Sequence, residues 1–288
     1  MADNLPLPLQ ELWIDIHGSI ERAYGSGNDL PAIRSAIETL RLTYQNPATM
    51  GAPSFEDEHS QAAYSVAYFP SHAFAYLHLL LRRNLGEVIF DKVSSGSRIL
   101  VLGSGVGAET LAITRWMAEN TSQDLRKMSF LLVDRANWQN AAFKHFDPLI
   151  DQQRKKSQLV LERAQVDLAT EVGHKFIHSR VPDADIVFVP SLLTEMITEG
   201  TEVQFRENLL QALKPGSRVV LMDHRLPSFQ HVSLQWSRDF KVLVHDSHEA
   251  GGVIIPPPSP WVKKNLLDGT GKRSPVGSYS MSWSVLER

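Results

Sequence analysis

The hydrophobic pattern of the chain changes character near residue 96. Before that point apolar positions recur at helical spacing: Leu9, Leu12, Trp13, Ile16 and Ile20, then less strictly Ile33, Ile37, Leu40 and Leu42. Residues 46–58 carry Pro47, Gly51, Pro53 and the acidic run Glu56-Asp57-Glu58, and read as a loop. The stretch 61–85 is apolar and aromatic, with Tyr64, Tyr68, Phe69, Phe74 and Tyr76. It is interrupted at Pro70, where Ser71 is placed to cap a new helix. No strand pattern precedes Arg98, so residues 1–95 are expected to form an all-helical segment.

From Arg98 onward, strand and helix patterns alternate. Strands are predicted at 98–102, 129–134, 159–163, 186–190, 218–223, 241–245 and 278–286. Helices are predicted at 108–119, 137–150, 192–199, 202–213 and 229–238. Residues 119–127 read as a polar surface extension. The last strand follows Pro256-Pro257-Pro258 and a Gly/Lys-rich, loop-like stretch with no helix directly before it. A parallel neighbour normally needs a crossover helix, so this strand is expected to be antiparallel. The fold class is α/β: a doubly wound, seven-stranded, mostly parallel sheet with an antiparallel last strand, plus an N-terminal helical lid. The expected division is a lid over 1–95 and a nucleotide-binding domain over 96–288.

Composition narrows the chemistry. The 288 residues are 43% hydrophobic and 21% charged, as in soluble globular proteins. A formal charge of −3 gives no global field to attract nucleic acid, and the basic residues Lys263, Lys264, Lys272 and Arg273 read as a solvated face. The chain has no cysteine, which excludes disulfides, thiolate metal sites and cysteine nucleophiles. No apolar run is long enough to span a bilayer and the first residues lack a leader pattern, so a soluble cytoplasmic protein is expected. The run His245-Asp246-Ser247-His248-Glu249 has spacing a metal could use, but Gly251-Gly252 follows at once. It reads as a polar loop, and no metal site is expected. Ser104 lies in Gly103-Ser104-Gly105, not in the spacing of a hydrolase nucleophile elbow.

The most informative residues are 97–109. The buried-strand run Ile99–Leu102 breaks into Gly103, Gly105 and Gly107, after which a helical pattern begins at Ala108 with Leu111, Ile113, Trp116 and Met117. Glycines there let the backbone adopt φ > 0 and approach a ligand closely, at a helix N-terminus. Position 108 is alanine, so the G-x-G-x-x-G dinucleotide fingerprint is not met, and the spacing is G-x-G-x-G. That spacing resembles motif I of the class I S-adenosylmethionine (SAM) methyltransferases. The resemblance extends over about residues 98–286 and includes an antiparallel seventh strand.

The resemblance implies SAM as cofactor and gives several residues roles. Gly103, Ser104, Gly105 and Gly107 would form the cofactor turn. Asp134, closing the second strand, would accept from the ribose hydroxyls, and Asp167, after the third, from the adenine amine. Pro190 and Ser191 would pass beside the sulfonium and the acceptor, and Leu213-Lys214-Pro215-Gly216 is a turn often seen before the fifth strand. The family usually has an acid two residues before the first glycine, holding the methionine amino group; here that residue is Val101. Glu109 either takes over that task or is a favourable charge at a helix N-terminus. Trp138 either lies along the adenine or packs in the core, and Trp116 reads as core.

Methyl transfer from SAM needs alignment of acceptor, methyl and sulfur, exclusion of water, and sometimes a base. The candidate bases are Glu195 and His224, with Asp223 and His245 behind them. Tyr64, Tyr68 and His72 would select a small-molecule acceptor or stack a flipped base. The function expected is SAM-dependent methyl transfer to a small molecule, in specialised metabolism. The alternatives are a SAM-using enzyme that releases methylthioadenosine, an RNA base methyltransferase, and a SAM-binding protein without catalysis.

Overall fold

A computed structural model describes residues 5–27, 29–45, 53–82, 85–91, 96–120, 127–154, 158–224, 227–245, 253–267 and 278–288. The described residues before 96 are helical: α1 (Leu7–Tyr24), α2 (Leu30–Gln45), α3 (Glu58–Ala67), α4 (Phe69–Arg82) and α5 (Leu85–Phe90). They lead into β1 (Ser97–Leu102), α6 (Ala108–Asn120), β2 (Lys127–Asp134), α7 (residues 139–154, π-helical over Ala142–Phe146), β3 (Gln158–Gln165), α8 (Glu171–Arg180) and β4 (Ile186–Pro190). Next come α9 (Leu193–Glu199), α10 (Glu202–Ala212), β5 (Arg218–His224), α11 (Pro227–Trp236) and β6 (Lys241–His245). The short β7 (Val253–Ile254) pairs with β8 (Ser278–Tyr279), a helical turn spans 260–267, and β9 is Met281–Glu287.

The main sheet has seven strands in the order β3-β2-β1-β4-β5-β9-β6. Pairs from β3 to β5 are parallel, and β9 runs antiparallel between β5 and β6, as expected of the last strand. Both faces of the central strands are covered, so residues 99–102 and 186–189 are apolar throughout and alternate residues serve two cores. Ile99, Val101, Phe130, Leu132, Ile186, Phe188 and Val220 face one core, which also holds the buried residues of α1–α7. Leu100, Leu102, Val133, Val187, Val189 and Leu221 face the other, with α8–α11. The N-terminal helices therefore share a continuous core with one face of the sheet, and α4 lies along α6.

Residues 257–267 clasp those helices. Trp13 Nε1 donates to the Pro257 carbonyl at 3.0 Å, and Arg34 donates to the carbonyls of Asn265 and Lys264, each at 2.7 Å. Ser259 donates to Glu21 Oε1 at 2.5 Å.

Several expectations are corrected. The break between α3 and α4 falls at Tyr68, not at Pro70. Pro70 sits in the first turn of α4, where a missing N–H costs no hydrogen bond, so Ser71 is inside the helix and caps nothing. Helix α3 is instead capped by Asp57, whose side chain accepts from Ser60 N. Helix α8 was not predicted. Only Gly173 and Ile177 are buried on it, so it carries no apolar stripe, although Thr170 caps it. Lys263 and Lys264 lie in a helical turn rather than a loop, because Ser259 caps it and Pro260 opens it. Leu42 is exposed, unlike Ile33, Ile37 and Leu40. The polar extension at 121–126, most of the loop expected at 46–52, residues 246–250 of the His/Asp run, and Lys272 with Arg273 lie outside the described residues.

Candidate active site

The sheet order reverses between β1 and β4, because the chain winds outward through β2 and β3 and then returns to start β4 and β5. Ligands of such sheets bind at the carboxyl ends of the strands beside this switch point. The glycine turn leaves β1 there, and Ser191 leaves β4 there.

The turn is held by backbone. Gly103 N and Ser104 N donate to the Val133 carbonyl at 2.8 and 3.1 Å, which fixes the turn against the end of β2. Gly103 has φ +78° and Gly107 φ +108°, conformations that side chains rarely adopt. A Cβ on Gly103 would stand 2.9 Å from Leu192 Cβ, and one on Gly107 2.9 Å from the Phe146 ring. Gly105, at φ +51°, faces Tyr64, whose ring atoms would be 3.7 Å from a Cβ there. Ser104 is buried and its hydroxyl donates to the Gly105 carbonyl at 3.3 Å.

Asp134 joins the turn to the end of β2. Its Oδ2 accepts from Gly105 N at 2.8 Å and its Oδ1 from Ala136 N at 3.0 Å. Desolvation raises its pKa, opposed by those two N–H groups. Asp167 lies beyond β3 and is exposed; its Oδ1 accepts from Ala169 N at 3.0 Å. Glu109, in the first turn of α6, is 3% exposed, and its Oε1 has no hydrogen-bond partner among the described residues. Desolvation pushes this carboxyl up to about 8, with the nearby Asp134 adding to the rise and its own N–H, the Thr110 N–H and the Thr110 hydroxyl opposing it.

The opposite wall comes from β4, β5 and the N-terminal helices. Pro190 is buried, and Ser191 has φ +51°, the only non-glycine positive φ among the described residues. Its N–H donates to the Met222 carbonyl at 2.7 Å, which holds this strained turn against β5. Tyr76, buried on α4, places its hydroxyl 3.4 Å from Ser191 Oγ. Burial raises the Tyr76 pKa, and the neighbouring carboxyls of Glu109 and Asp223 raise it further.

Asp223 is fully buried and accepts from Thr194 N at 2.9 Å, so it serves the start of α9 from the end of β5. Glu195, one residue further along α9, is half-buried and lies 3.4 Å from Arg135, which also pairs with Glu199 at 2.9 Å. Desolvation raises Glu195 to about 7 despite Arg135, and Asp134, Glu199 and Asp223 act in the same direction. His224 closes β5 opposite Met281; its side chain lies outside the described residues. His245 is remote, on the edge strand β6, with Nδ1 2.6 Å from Ser284 Oγ.

Of the three aromatic candidates of the N-terminal segment, Tyr64 lies over the turn and Tyr68 and His72 pack on Tyr64. Tyr64 Oη lies 3.1 Å from His72 Nδ1, and the Tyr64 and Tyr68 rings stack with centroids 5.9 Å apart. Backbone bonds Tyr68 N→Tyr64 O and His72 N→Tyr68 O carry the helical register through the break, so all three stay on one stripe. Trp138 is buried and packs on Tyr64 and Phe55, at centroid distances of 5.2 and 4.9 Å. Gln61 fixes this roof, donating to the carbonyls of Phe55 and Asn137 at 2.8 Å each. Trp116 stacks on Phe90 at 5.2 Å, within the core. Sequence reasoning missed Tyr76, Phe55 and Arg135. Tyr76 continues the stripe of Tyr64, Tyr68 and His72 at four-residue steps, which was the available signal.

A nucleoside with a cationic amino-acid tail fits these residues. The turn leaves no room for side chains at Gly103 and Gly107, Asp134 faces the turn from the end of β2, and Glu109 offers an unpartnered buried oxygen.

No curated protein matches the chain. Among solved structures, the chain is similar to the C-terminal domain of precorrin-6Y C5,15-methyltransferase from Rhodobacter capsulatus, at 12% identity, 71% coverage of this chain, 89% of that one, and a TM-score of 0.41. It is also similar to magnesium protoporphyrin IX methyltransferase from Synechocystis PCC 6803 with bound SAM, at 11% identity, 91% and 98% coverage, and a TM-score of 0.42. Residues 50–204 match the family described as "Putative SAM-dependent methyltransferase". That match takes in α3 and α4, the glycine turn, Asp134, Asp167, Ser191 and Glu195, and on it the chain belongs to this family of SAM-dependent methyltransferases.

Proposed function

We propose that the chain transfers the methyl group of SAM to a small-molecule acceptor enclosed between the β4–β5 ends and the N-terminal aromatic helices. The observation that carries this reading is the roof. Tyr64 lies over Gly105 and packs on Trp138 and Phe55, which pack on each other, so the space beside the turn has an aromatic wall. The ionisable groups around it are mostly carboxyls, from Glu109, Asp134, Glu195, Glu199 and Asp223, and Arg135 is already matched by two glutamates. Such a ring suits the cationic centres of SAM and repels a phosphate backbone.

SAM supplies a methyl group already activated on its sulfonium. Gly103, Ser104, Gly105 and Gly107 shape the turn against it, Asp134 takes the ribose hydroxyls, Asp167 the adenine amine, and Trp138 borders the base. Pro190 and Ser191 line the sulfonium side. Tyr64, Tyr68 and His72 hold the acceptor and exclude water, with residues 1–95 serving as its lid. Glu195, held near 7, is poised to take a proton from the acceptor; His224 is the second candidate for that task.

The test is an incubation of purified protein with methyl-labelled SAM and either a panel of phenolic and N-heterocyclic small molecules or total RNA. Label in a small molecule with matching S-adenosylhomocysteine supports the reading. Label in RNA alone overturns the acceptor class, and methylthioadenosine without methylated product overturns methyl transfer.

A further inference from the structure

We propose that Glu109 is the socket for the α-ammonium of SAM, and that the chain takes SAM up with release of one proton from this carboxyl. The inference rests on the cofactor placement above and concerns one residue within it.

The carboxyls of the cleft are not equivalent. Asp134 accepts two backbone N–H groups, Asp223 accepts from Thr194 N, and Glu195 faces Arg135. Glu109 alone among these four has an oxygen that is buried and without a hydrogen-bond partner among the described residues. A buried acceptor left in that state has lost its water without gaining a donor, which costs more if it is charged. Val101, buried in β1 beside the turn, offers no charge.

Position agrees with chemistry. The groups facing Glu109 are Asp134 at the end of β2 and Tyr76 on α4, and Tyr76 in turn reaches Ser191 beyond β4. The carboxyl therefore stands at the switch point, between the side that receives the ribose and the side that receives the sulfonium. The α-ammonium is the part of SAM that can donate hydrogen bonds to it as a cation.

The charged side chain that acts most strongly on Glu109 is Asp134, another acid. Burial away from water disfavours charge on this carboxyl, and Asp134 adds to the effect, so without ligand the group is mostly the carboxylic acid at neutral pH. An ammonium beside it reverses the balance: the O–H proton leaves to solvent, and the carboxylate so formed pairs with the ammonium. One proton leaves, one ion pair forms, and no other bond changes.

Titration calorimetry tests this, using S-adenosylhomocysteine and 5′-methylthioadenosine, which lacks the amino-acid portion. Measurements at pH 7 in two buffers of different protonation enthalpy count the protons. For the wild type, S-adenosylhomocysteine should bind with release of about one proton, and its affinity should rise from pH 6 to pH 8. In Glu109→Gln the release and the pH dependence should vanish, and affinity for S-adenosylhomocysteine should fall ~10–100-fold, the worth of one charge-assisted hydrogen bond. Affinity for 5′-methylthioadenosine should stay unchanged.

A burial-raised carboxyl makes the fold less stable as pH rises from its unfolded value toward 8. The unliganded Glu109→Gln protein should therefore melt above the wild type at pH 8. Unchanged proton release, equal weakening of both ligands, or a lower melting point would overturn the proposal. Asp134→Ala, expected to lose both ligands, separates these outcomes from failure of the cofactor placement itself. If the wild type binds neither ligand, it is that placement which fails.

Discussion

The two sides of the cleft are built by different means. On the β1–β2 side, contacts are short-range or backbone-made: a glycine turn bonded to Val133, with Asp134 bonded back to the turn. On the β4–β5 side, side chains distant in sequence converge. Tyr76 reaches Ser191 across 115 positions, whereas Asp134 reaches Gly105 across 29. The first side depends on backbone conformation that only glycine supplies. The second depends on where helices from the first third of the chain come to rest on the sheet, which leaves acceptor contacts free to vary while the cofactor turn stays fixed.

The sharpest way to break this contrast is Gly107→Ala. It puts a Cβ at φ +108° and against Phe146, so a loss of about 2–4 kcal/mol in urea unfolding is expected, together with loss of S-adenosylhomocysteine binding. A mutant that binds normally would show that the turn does not depend on glycine there. Asp134→Ala should weaken S-adenosylhomocysteine by at least ~100-fold in calorimetry, the worth of the two charge-assisted bonds to ribose proposed above. Unchanged affinity would move the cofactor elsewhere.

On the other side, Glu195→Gln should reduce kcat by ~100-fold while leaving cofactor affinity within a factor of about two. The active form is the carboxylate, so wild-type activity should climb as pH passes through about 7, and the variant should lose that limb. A pH profile unchanged by the substitution would remove Glu195 as base. Tyr64→Phe deletes the hydroxyl that meets His72 and keeps the ring over Gly105; a several-fold rise in acceptor KM with normal cofactor affinity is expected.

His145 lies outside both sides and provides a control. Its ring is buried, and neither nitrogen has a partner among the described residues. Burial pushes its pKa to about 3, so the unfolded chain takes up a proton between pH 6.5 and 3 that the folded chain refuses. Stability should fall across that range in the wild type. His145→Leu should flatten the fall, as read from thermal midpoints, without altering S-adenosylhomocysteine affinity.

The same contrast explains what could be read from sequence. Strand-length apolar runs and the spacing of Gly103, Gly105, Gly107 and Asp134 are local signals, and the alternation of strands and helices was read from such runs. The antiparallel β9 was legible because no helix precedes it. Helix α8 was not, because Gly173 is there to let the helix approach the loop after β3, where a Cβ would lie 2.3 Å from the Asp167 carbonyl. Tyr76 was named only as one aromatic in a run, since nothing near it in sequence announces Ser191. Asp223 was weighed as a base, and its bond to Thr194 N became visible only once β5 and α9 were placed together.

The clasp between residues 257–267 and helices α1 and α2 bears on the order in which the molecule can be completed. During synthesis α1 and α2 emerge first, with α2 packed on the roof helix α3, yet the carbonyls of Pro257 and Asn265 that accept from them emerge more than two hundred residues later. The edge strand β6 likewise has β9 as its main-sheet neighbour, so it stays unpaired until residues 281–287 arrive. A ribosome-bound chain can therefore form the glycine turn and the first strands long before its roof is secured. Ligand-dependent protection of the nascent chain should accordingly appear in two steps, first at β1–β2 and later over α1–α4.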